Sequence, residues 1–192
     1  MNMSRPGLAM IALWWGFAIS WIAAAAWSSG ADKRMSVRRE LWYRIILLTG
    51  GVVLFIPAHG YSGPLRLWSV TRGFAWGCVC GIVCGFTFSW WARVHLGEFW
   101  SGRITKKAGH RVIASGPYAI VRHPIYTGIL CAVYSTAAAK GTVLGIAGSL
   151  LVTVGFWMKA RLEETFLQRE LADYDAYRRR VPMLLPFGPR SR

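Results

Sequence analysis

Acidic residues are scarce in this chain, with 8 Asp+Glu against 23 Lys+Arg in 192 residues and a formal net charge of +15. Cysteine is scarce as well: the 4 cysteines form no CxxC pair and have no matching His/Cys pair, so neither a zinc site nor a disulfide framework is implied. Cys78, Cys80, Cys84 and Cys131 fall in apolar runs, where cysteine is expected as a small buried apolar residue. Also missing are a GxGxxG after a strand, a P-loop, an HExxH and a GxSxG. The space left between apolar runs excludes a soluble nucleotide-binding domain as well, so any cofactor falls to the loop, the ends of the last spans and the C-terminal helix. Charge itself is missing over long stretches, since residues 8–27 and 73–92 carry no Asp, Glu, Lys or Arg. A helix of such length spans about 30 Å, the hydrocarbon thickness of a bilayer.

What is present agrees with a membrane protein: 54% hydrophobic residues, 11 Trp and a mean hydropathy of +0.35. The basic residues lie in the gaps between apolar runs. That distribution suits membrane topology and attraction to anionic lipid headgroups, and it excludes a nucleic-acid-binding face. The first run, 8–27, carries Trp14, Trp15, Trp21 and Trp27 and reads as a retained span rather than a cleaved signal. After a basic connector, 28–40, a second run covers 41–59, with Arg44 able to snorkel to the headgroups. A loop at 59–72 leads to the third run, which ends at Trp90-Trp91. The longest polar segment, 93–124, precedes two short apolar runs, 125–139 and 141–158, which are expected to form a tight helical hairpin with Lys140 at its tip. Residues 159–181 are charged and helix-prone, and Pro182, Pro186, Gly188 and Pro189 stop them.

The expectation is therefore an all-α, polytopic membrane protein with about five transmembrane segments. Residues 1–92 hold three spans. Residues 93–192 form a second unit made of a loop (93–124), the hairpin (125–158), and a C-terminal helix and tail (159–192). With the N-terminus outside, the exterior holds only Arg5, Arg66, Arg72 and Lys140 of the 23 Lys+Arg. The N-out, C-in arrangement puts the loop and the residues after 159 on one cytoplasmic face.

The stretch HRVIASGPYAIVRHPIYTG, residues 110–128, is polar and broken by Gly116-Pro117 and His123-Pro124, so it reads as a folded loop at a membrane boundary. Pro124 suits a first helical turn, where no N–H bond is lost. His123 is then either a residue that merely begins the helix or a site residue. Tyr118 either stacks on a purine or anchors the loop at the interface. Downstream, Glu163 and Glu164 are adjacent carboxylates in a basic chain. Helix neighbours point about 100° apart, so the two are expected not to serve one function. Glu163 can pair with Lys159, and Glu164 with Arg161, giving an exposed salt-bridged helix. The alternative is that one carboxylate faces the loop and holds an amino group or a ribose hydroxyl.

The pattern LGxxWS at 96–101, then His110, then SGPYAIVRHPIYTG at 115–128, resembles the isoprenylcysteine carboxyl methyltransferase family. RLEE at 161–164 and YDAYRRRVPMLLPF at 174–187 extend the resemblance over roughly residues 93–187. The resemblance implies a membrane methyltransferase that uses S-adenosyl-L-methionine without a Rossmann domain. By position it implies cofactor contacts from His110, Arg111, Val112, Ile113, Tyr118, His123, Pro124, Ile125 and Tyr126, and from Glu163 or Glu164, with Glu164 favoured by spacing. It also implies a basic residue for the carboxylate of the acceptor, either Lys159 or Arg161. Arg161 is preferred because a guanidinium grips a carboxylate bidentately. No metal is implied.

Methyl transfer to a carboxylate needs no general base, because the nucleophile is already ionised at neutral pH. Alignment and exclusion of water suffice. The acceptor expected from the resemblance is a lipophilic, isoprenylcysteine-type carboxylate. Alternatives are N-methylation of a phosphatidylethanolamine-type phospholipid, S-methylation of a small thiol, an NADPH-dependent relative of the sterol reductases, and a non-enzymatic membrane protein.

Overall fold

The computed structural model describes residues 4–25, 33–34, 37–57, 65–97, 100, 105–106 and 112–188. It is built from five long helices: α1 (Arg5–Ala25), α2 (Val37–Phe55), α3 (Arg72–Leu96), α5 (Pro124–Lys140) and α6 (Val143–Glu170). A single turn, α4 (Pro117–Ile120), precedes α5, and a short helix, α7 (Tyr174–Arg180), follows α6. The only β structure among the described residues is a pair of two-residue strands, β1 (Lys33–Arg34) and β2 (Thr105–Lys106), together with an isolated bridge between Arg66 and Thr142.

Two seams of small residues hold the bundle. On α3, a side chain added at Gly85 would lie 2.4 Å from the Gly128 carbonyl oxygen of α5, and one added at Gly128 would lie 2.3 Å from Ser89 Oγ. On the other side, Gly50 of α2 and Gly148 of α6 meet in the same way, backbone on backbone. Helices in lipid associate by such close approach, because burying apolar surface gives no advantage there. Helix α1 packs on α3 through aromatic contacts: Phe17 stacks on Phe86 at 4.1 Å, and the Trp14 ring meets Phe86 edge-on at 4.9 Å. Large apolar residues such as Trp15, Ile22, Leu48 and Val52 face outward, as expected for a surface solvated by lipid.

Three helices, α1, α3 and α6, are long and apolar enough to cross a membrane. Five apolar runs were expected to do so. Each of the five does form a helix, but α5 has 17 residues, about 26 Å of rise, and α2 opens on Arg38, Arg39, Glu40 and Arg44. A second difference concerns Lys159, where a new C-terminal helix was expected. Helix α6 instead continues unbroken for 28 residues, about 42 Å, because nothing between Trp157 and Glu170 disfavours helix. The carboxylates at 163 and 164 thus sit on the same rigid rod that lies against α2 and α5. A third concerns cysteine: Cys78 is buried, but Cys80, Cys84 and Cys131 are exposed on the outer face of the bundle.

The two ends of α5 are built differently. At its far end Gly141 takes the left-handed conformation (φ +61°), and Thr142 caps α6 by accepting from the Gly145 N–H at 3.1 Å. The Lys140 ammonium reaches back to the carbonyls of Leu54 and, at 2.6 Å, Ile56, at the end of α2. At the near end, the start of α5 is fixed to α3 by the Ser89 hydroxyl donating to the Ile125 carbonyl at 3.1 Å.

Candidate active site

The loop ahead of α5 is shaped by glycine and proline. Gly116 has φ +57°, and the His95 ring fills the space where a side chain would stand, only 2.8 Å away, so no other residue fits. His95 Nε2 also lies 2.9 Å from Ser115 Oγ, and its ring lies alongside that of Tyr118, 6.3 Å away. Pro117 starts α4 and buries Tyr118, whose carbonyl accepts from the Tyr177 hydroxyl at 2.7 Å. Burial pushes the phenols of Tyr118, Tyr174 and Tyr177 upward, so they remain neutral donors at physiological pH. Val121 then extends the chain, and Pro124 opens α5 at its first position.

The C-terminal segment closes over this extended strip. The Arg122 N–H donates to the Pro182 carbonyl at 2.8 Å and the His123 N–H to the Met183 carbonyl at 3.1 Å, while Thr127 Oγ1 donates to the Leu184 carbonyl at 2.6 Å. Pro182 cannot continue α7, so the chain turns there and lies along the first turn of α5.

Five side chains that carry formal charge, or gain one on protonation, meet beneath that latch. Arg122 Nε donates to Glu164 Oε1 at 2.6 Å, and its Nη1 donates to the carbonyls of Arg178 at 2.8 Å and Val181 at 2.5 Å. His123 stands between the two carboxylates, with Nε2 3.2 Å from Glu164 Oε1 and Nδ1 3.4 Å from Glu163 Oε2. The Tyr126 hydroxyl donates to the Glu163 carboxylate, 2.7 Å from either oxygen. Lys159 Nζ lies 3.9 Å from Glu163 Oε1 and 5.2 Å from the centre of the Tyr126 ring. The rings themselves stack, His123 on Tyr126 at 5.3 Å and Tyr126 on Phe156 at 4.8 Å. Burial acts against a charge on His123, but its bonds to Glu163 and Glu164 outweigh this and hold its pKa above the ordinary histidine value. Both ring nitrogens then act as donors, one to each carboxylate.

Two buried side-chain oxygens here lack a hydrogen-bond partner among the described residues, the Tyr43 hydroxyl on the facing α2 and Glu164 Oε2. Glu164 is only 2% exposed, and its Oε2 accepts no hydrogen bond from the described residues. A buried carboxylate oxygen left unsatisfied is costly, and it marks a place where a ligand could supply a donor.

These positions sort the residues expected from the sequence. Tyr118, His123, Pro124, Ile125 and Tyr126 are buried at the site, with Glu163 and Glu164 facing them from α6. Val112 packs beside Tyr174 and Tyr177, and Ile113 beside Tyr118 and Tyr126. His110 and Arg111 lie outside the described residues. The adjacent carboxylates both reach His123, one at each nitrogen, although helix neighbours point about 100° apart. Glu164 pairs with Arg122 instead of Arg161, whereas Glu163 pairs with Lys159 as its spacing suggested. Lys159 and Glu163 are one turn apart on the inner face of α6. Arg161, about 200° round from Lys159, is exposed with its guanidinium 5.6 Å over the Trp157 ring. Arg122 and Tyr43 carry no expected role, yet both belong here. Arg122 could have been found, because a carboxylate pair on a helix facing the loop calls for a cation. Tyr43 lies 5.8 Å from Lys159 Nζ and has no signal, since nothing in the α2 spacing separates it from lipid-facing neighbours. A cavity of about 680 Å³ lies elsewhere, at the opposite end of α5, beside Arg5, Arg72 and Ala139.

Residues 77–169 match the model of the isoprenylcysteine carboxyl methyltransferase (ICMT) family. This segment is similar to the ICMT family. It contains the His-Pro turn, α5 and the Glu163-Glu164 pair. Outside it lie α1, α2, α7 and the latch that bonds Arg122 and His123. A protein-S-isoprenylcysteine O-methyltransferase of Schizosaccharomyces pombe (strain 972 / ATCC 24843) is 30% identical over 102 residues, 51% of this chain and 43% of the relative. The match thus spans less than half the length of that relative. The resemblance drawn from the ICMT-like motifs is borne out over this region.

Proposed function

We propose that this chain is an integral-membrane methyltransferase that takes its methyl group from S-adenosyl-L-methionine and gives it to the carboxylate of a lipophilic, isoprenylcysteine-type acceptor. The observation that carries this reading is the buried Glu164 Oε2, without a donor, inside a cluster built by the ICMT-like motif. The cofactor presents an ammonium group and ribose hydroxyls, both donors, so the residues present fit it. The residues that would hold it are His110, Arg111, Val112, Ile113, Tyr118, His123, Pro124, Ile125, Tyr126 and Glu164. When bound, the cofactor supplies a methyl group on a sulfonium, ready for displacement.

The rest of the work falls to the protein. Arg122 and His123 hold Glu164 in one orientation, so that only Oε2 faces a ligand. The Tyr126–Glu163–Lys159 chain keeps the Lys159 ammonium at the wall of the site, where it would hold the carboxylate of the acceptor. Arg161, on the outer side of α6, is assigned no such role. A carboxylate needs no base, and the stacked rings of His123, Tyr126 and Phe156 exclude water from the site. Counting Arg122, Lys159 and protonated His123 against the two carboxylates leaves one net positive charge, which favours an anionic acceptor over a lipid amine. In this reading all five long helices lie in the membrane, α5 and α6 as a hairpin. The N-terminus is outside, and the site faces the cytoplasm.

The test uses purified protein in nanodiscs with methyl-labelled cofactor, supplied with a prenylcysteine analogue or with phosphatidylethanolamine. A base-labile label on the prenylcysteine is the expected result. Base-stable label on the lipid would instead make this an N-methyltransferase, and no label on either would overturn the reading.

A further inference from the structure

The C-terminal latch ends in a turn that is built at a local cost. The Gly188 N–H donates to the Leu185 carbonyl at 2.9 Å, so Leu185–Pro186–Phe187–Gly188 is a β-turn. Pro186 stands at the second position, which it favours. Phe187 stands at the third with φ +63°, and it is the only described non-glycine residue with positive φ. Turns of this shape take glycine at that position, and a bulky side chain there is strained. Here glycine comes one residue later, and the aromatic ring is held at the tip. Phe187 is 102% exposed and Leu185 is 69% exposed. The strained turn thus holds the phenylalanine ring away from the described bundle.

Its surroundings point to what covers it. The last turn of α7 is Arg178, Arg179 and Arg180, and its opposite side buries Tyr174 and Tyr177. Arg178 is engaged with Asp175 at 3.7 Å, while Arg179 and Arg180 are exposed. Leu184, the residue before the turn, is bonded to Thr127 in the first turn of α5, and it packs against apolar residues of the bundle. The turn therefore lies level with the first turn of α5, at the end of the bundle. Cations beside protruding apolar side chains at that level match a membrane interface, where the ring enters the acyl boundary and the guanidinium groups meet phosphates.

We infer that Leu185 and Phe187, with Arg179 and Arg180, form an interfacial anchor that docks the C-terminal latch on an anionic lipid surface. This goes beyond methyl transfer and does not depend on it. The anchor is joined to the site through the carbonyls of Met183, bonded by the His123 N–H, and Leu184, bonded by the Thr127 hydroxyl, so seating it in lipid holds the strip 122–127 in place.

The test replaces Phe187 with the photoreactive p-benzoylphenylalanine, which keeps an aromatic ring. The full chain is reconstituted in nanodiscs of phosphatidylcholine with a minority of phosphatidylglycerol, irradiated, and the 181–188 peptide analysed by mass spectrometry. The same probe at exposed Ala172 is the control. Lipid adducts at 187 are expected, with phosphatidylglycerol enriched about fivefold over its mole fraction, the factor for one arginine near anionic headgroups. Arg179→Glu with Arg180→Glu should remove the enrichment while leaving the adducts. Adducts in proportion to lipid composition would overturn the electrostatic part. Adducts to a second protein chain, or no more lipid at 187 than at 172, would overturn the anchor itself.

Discussion

Helix α5 carries a buried charge arrangement at each end, and the two solve the same problem differently. At the Lys140 end the ammonium bonds to two main-chain carbonyls that α2 would otherwise leave unpaired. At the His123 end Arg122 also bonds two main-chain carbonyls, but Arg122, His123, Glu163 and Glu164 are joined through their side chains, and Glu164 Oε2 accepts no bond from the described residues. Carbonyls bonded to an ammonium close a helix end. Side chains that share their bonds, with one acceptor to spare, can exchange a bond for a ligand. The contrast separates a clamp from a site.

The largest effect should come from cutting the His123 end. Glu164→Ala leaves Arg122 and His123 without their shared acceptor in a buried position. Breaking such a pair from one side costs about 3–5 kcal/mol, so thermal unfolding in detergent should move down sharply and cofactor binding should be lost. Glu164→Gln keeps the shape and should fold better while still losing cofactor affinity. If Glu164→Gln binds the cofactor normally, the leftover oxygen is not a ligand position.

Lys140→Met should give a smaller loss of about 2 kcal/mol, from two charge-assisted bonds to carbonyls. Cofactor affinity measured at saturating stability should be unchanged. A loss of binding without a loss of stability would erase the distinction between the two ends. Smaller still is the effect of pH at His123. Its folded-state pKa is raised by the two carboxylates after burial has opposed it, so its contribution is complete below about 6.5, the ordinary histidine value. That contribution is lost as pH rises through the higher folded-state value. Melting temperature should therefore fall with rising pH across that window, and His123→Gln should flatten the profile.

Much of this was legible in the sequence, and the reasons are physical. Uncharged runs announced the helices, because a bilayer demands length and apolarity from each segment alone. The Gly-Pro and His-Pro steps announced the loop and the start of α5, because both act locally on φ. What failed was long-range or directional. That α6 continues past Lys159 could not be seen, since charged residues mark a membrane exit equally well with or without a helix break. The convergence of Glu163 and Glu164 on one histidine was hidden as well. A 100° offset separates two side chains on an isolated helix, but a ring with two nitrogens can bridge them. The role of Tyr43 depends wholly on the α2–α6 seam, which small residues at Gly50 and Gly148 create without naming a partner.

The smallest expected effect tests the finest of these distinctions, which basic residue belongs to the site. Lys159 and Arg161 differ by two positions, and a guanidinium is the better carboxylate ligand where both can reach. In the proposed reading Lys159 takes this role, because Arg161 lies over Trp157 on the exposed side of α6, while Lys159 faces Glu163, Tyr126 and Tyr43. Arg161→Ala should change stability by no more than about 0.5 kcal/mol and leave turnover within a factor of two or so, as surface substitutions do. Lys159→Ala should raise the KM for the acceptor while leaving cofactor affinity near that of the parent. Equal loss in both variants would mean that α6 rotates when the acceptor binds. A loss confined to Arg161→Ala would move the acceptor to the outer face of α6, and with it the wall of the site that Tyr43 and Tyr126 are taken to form.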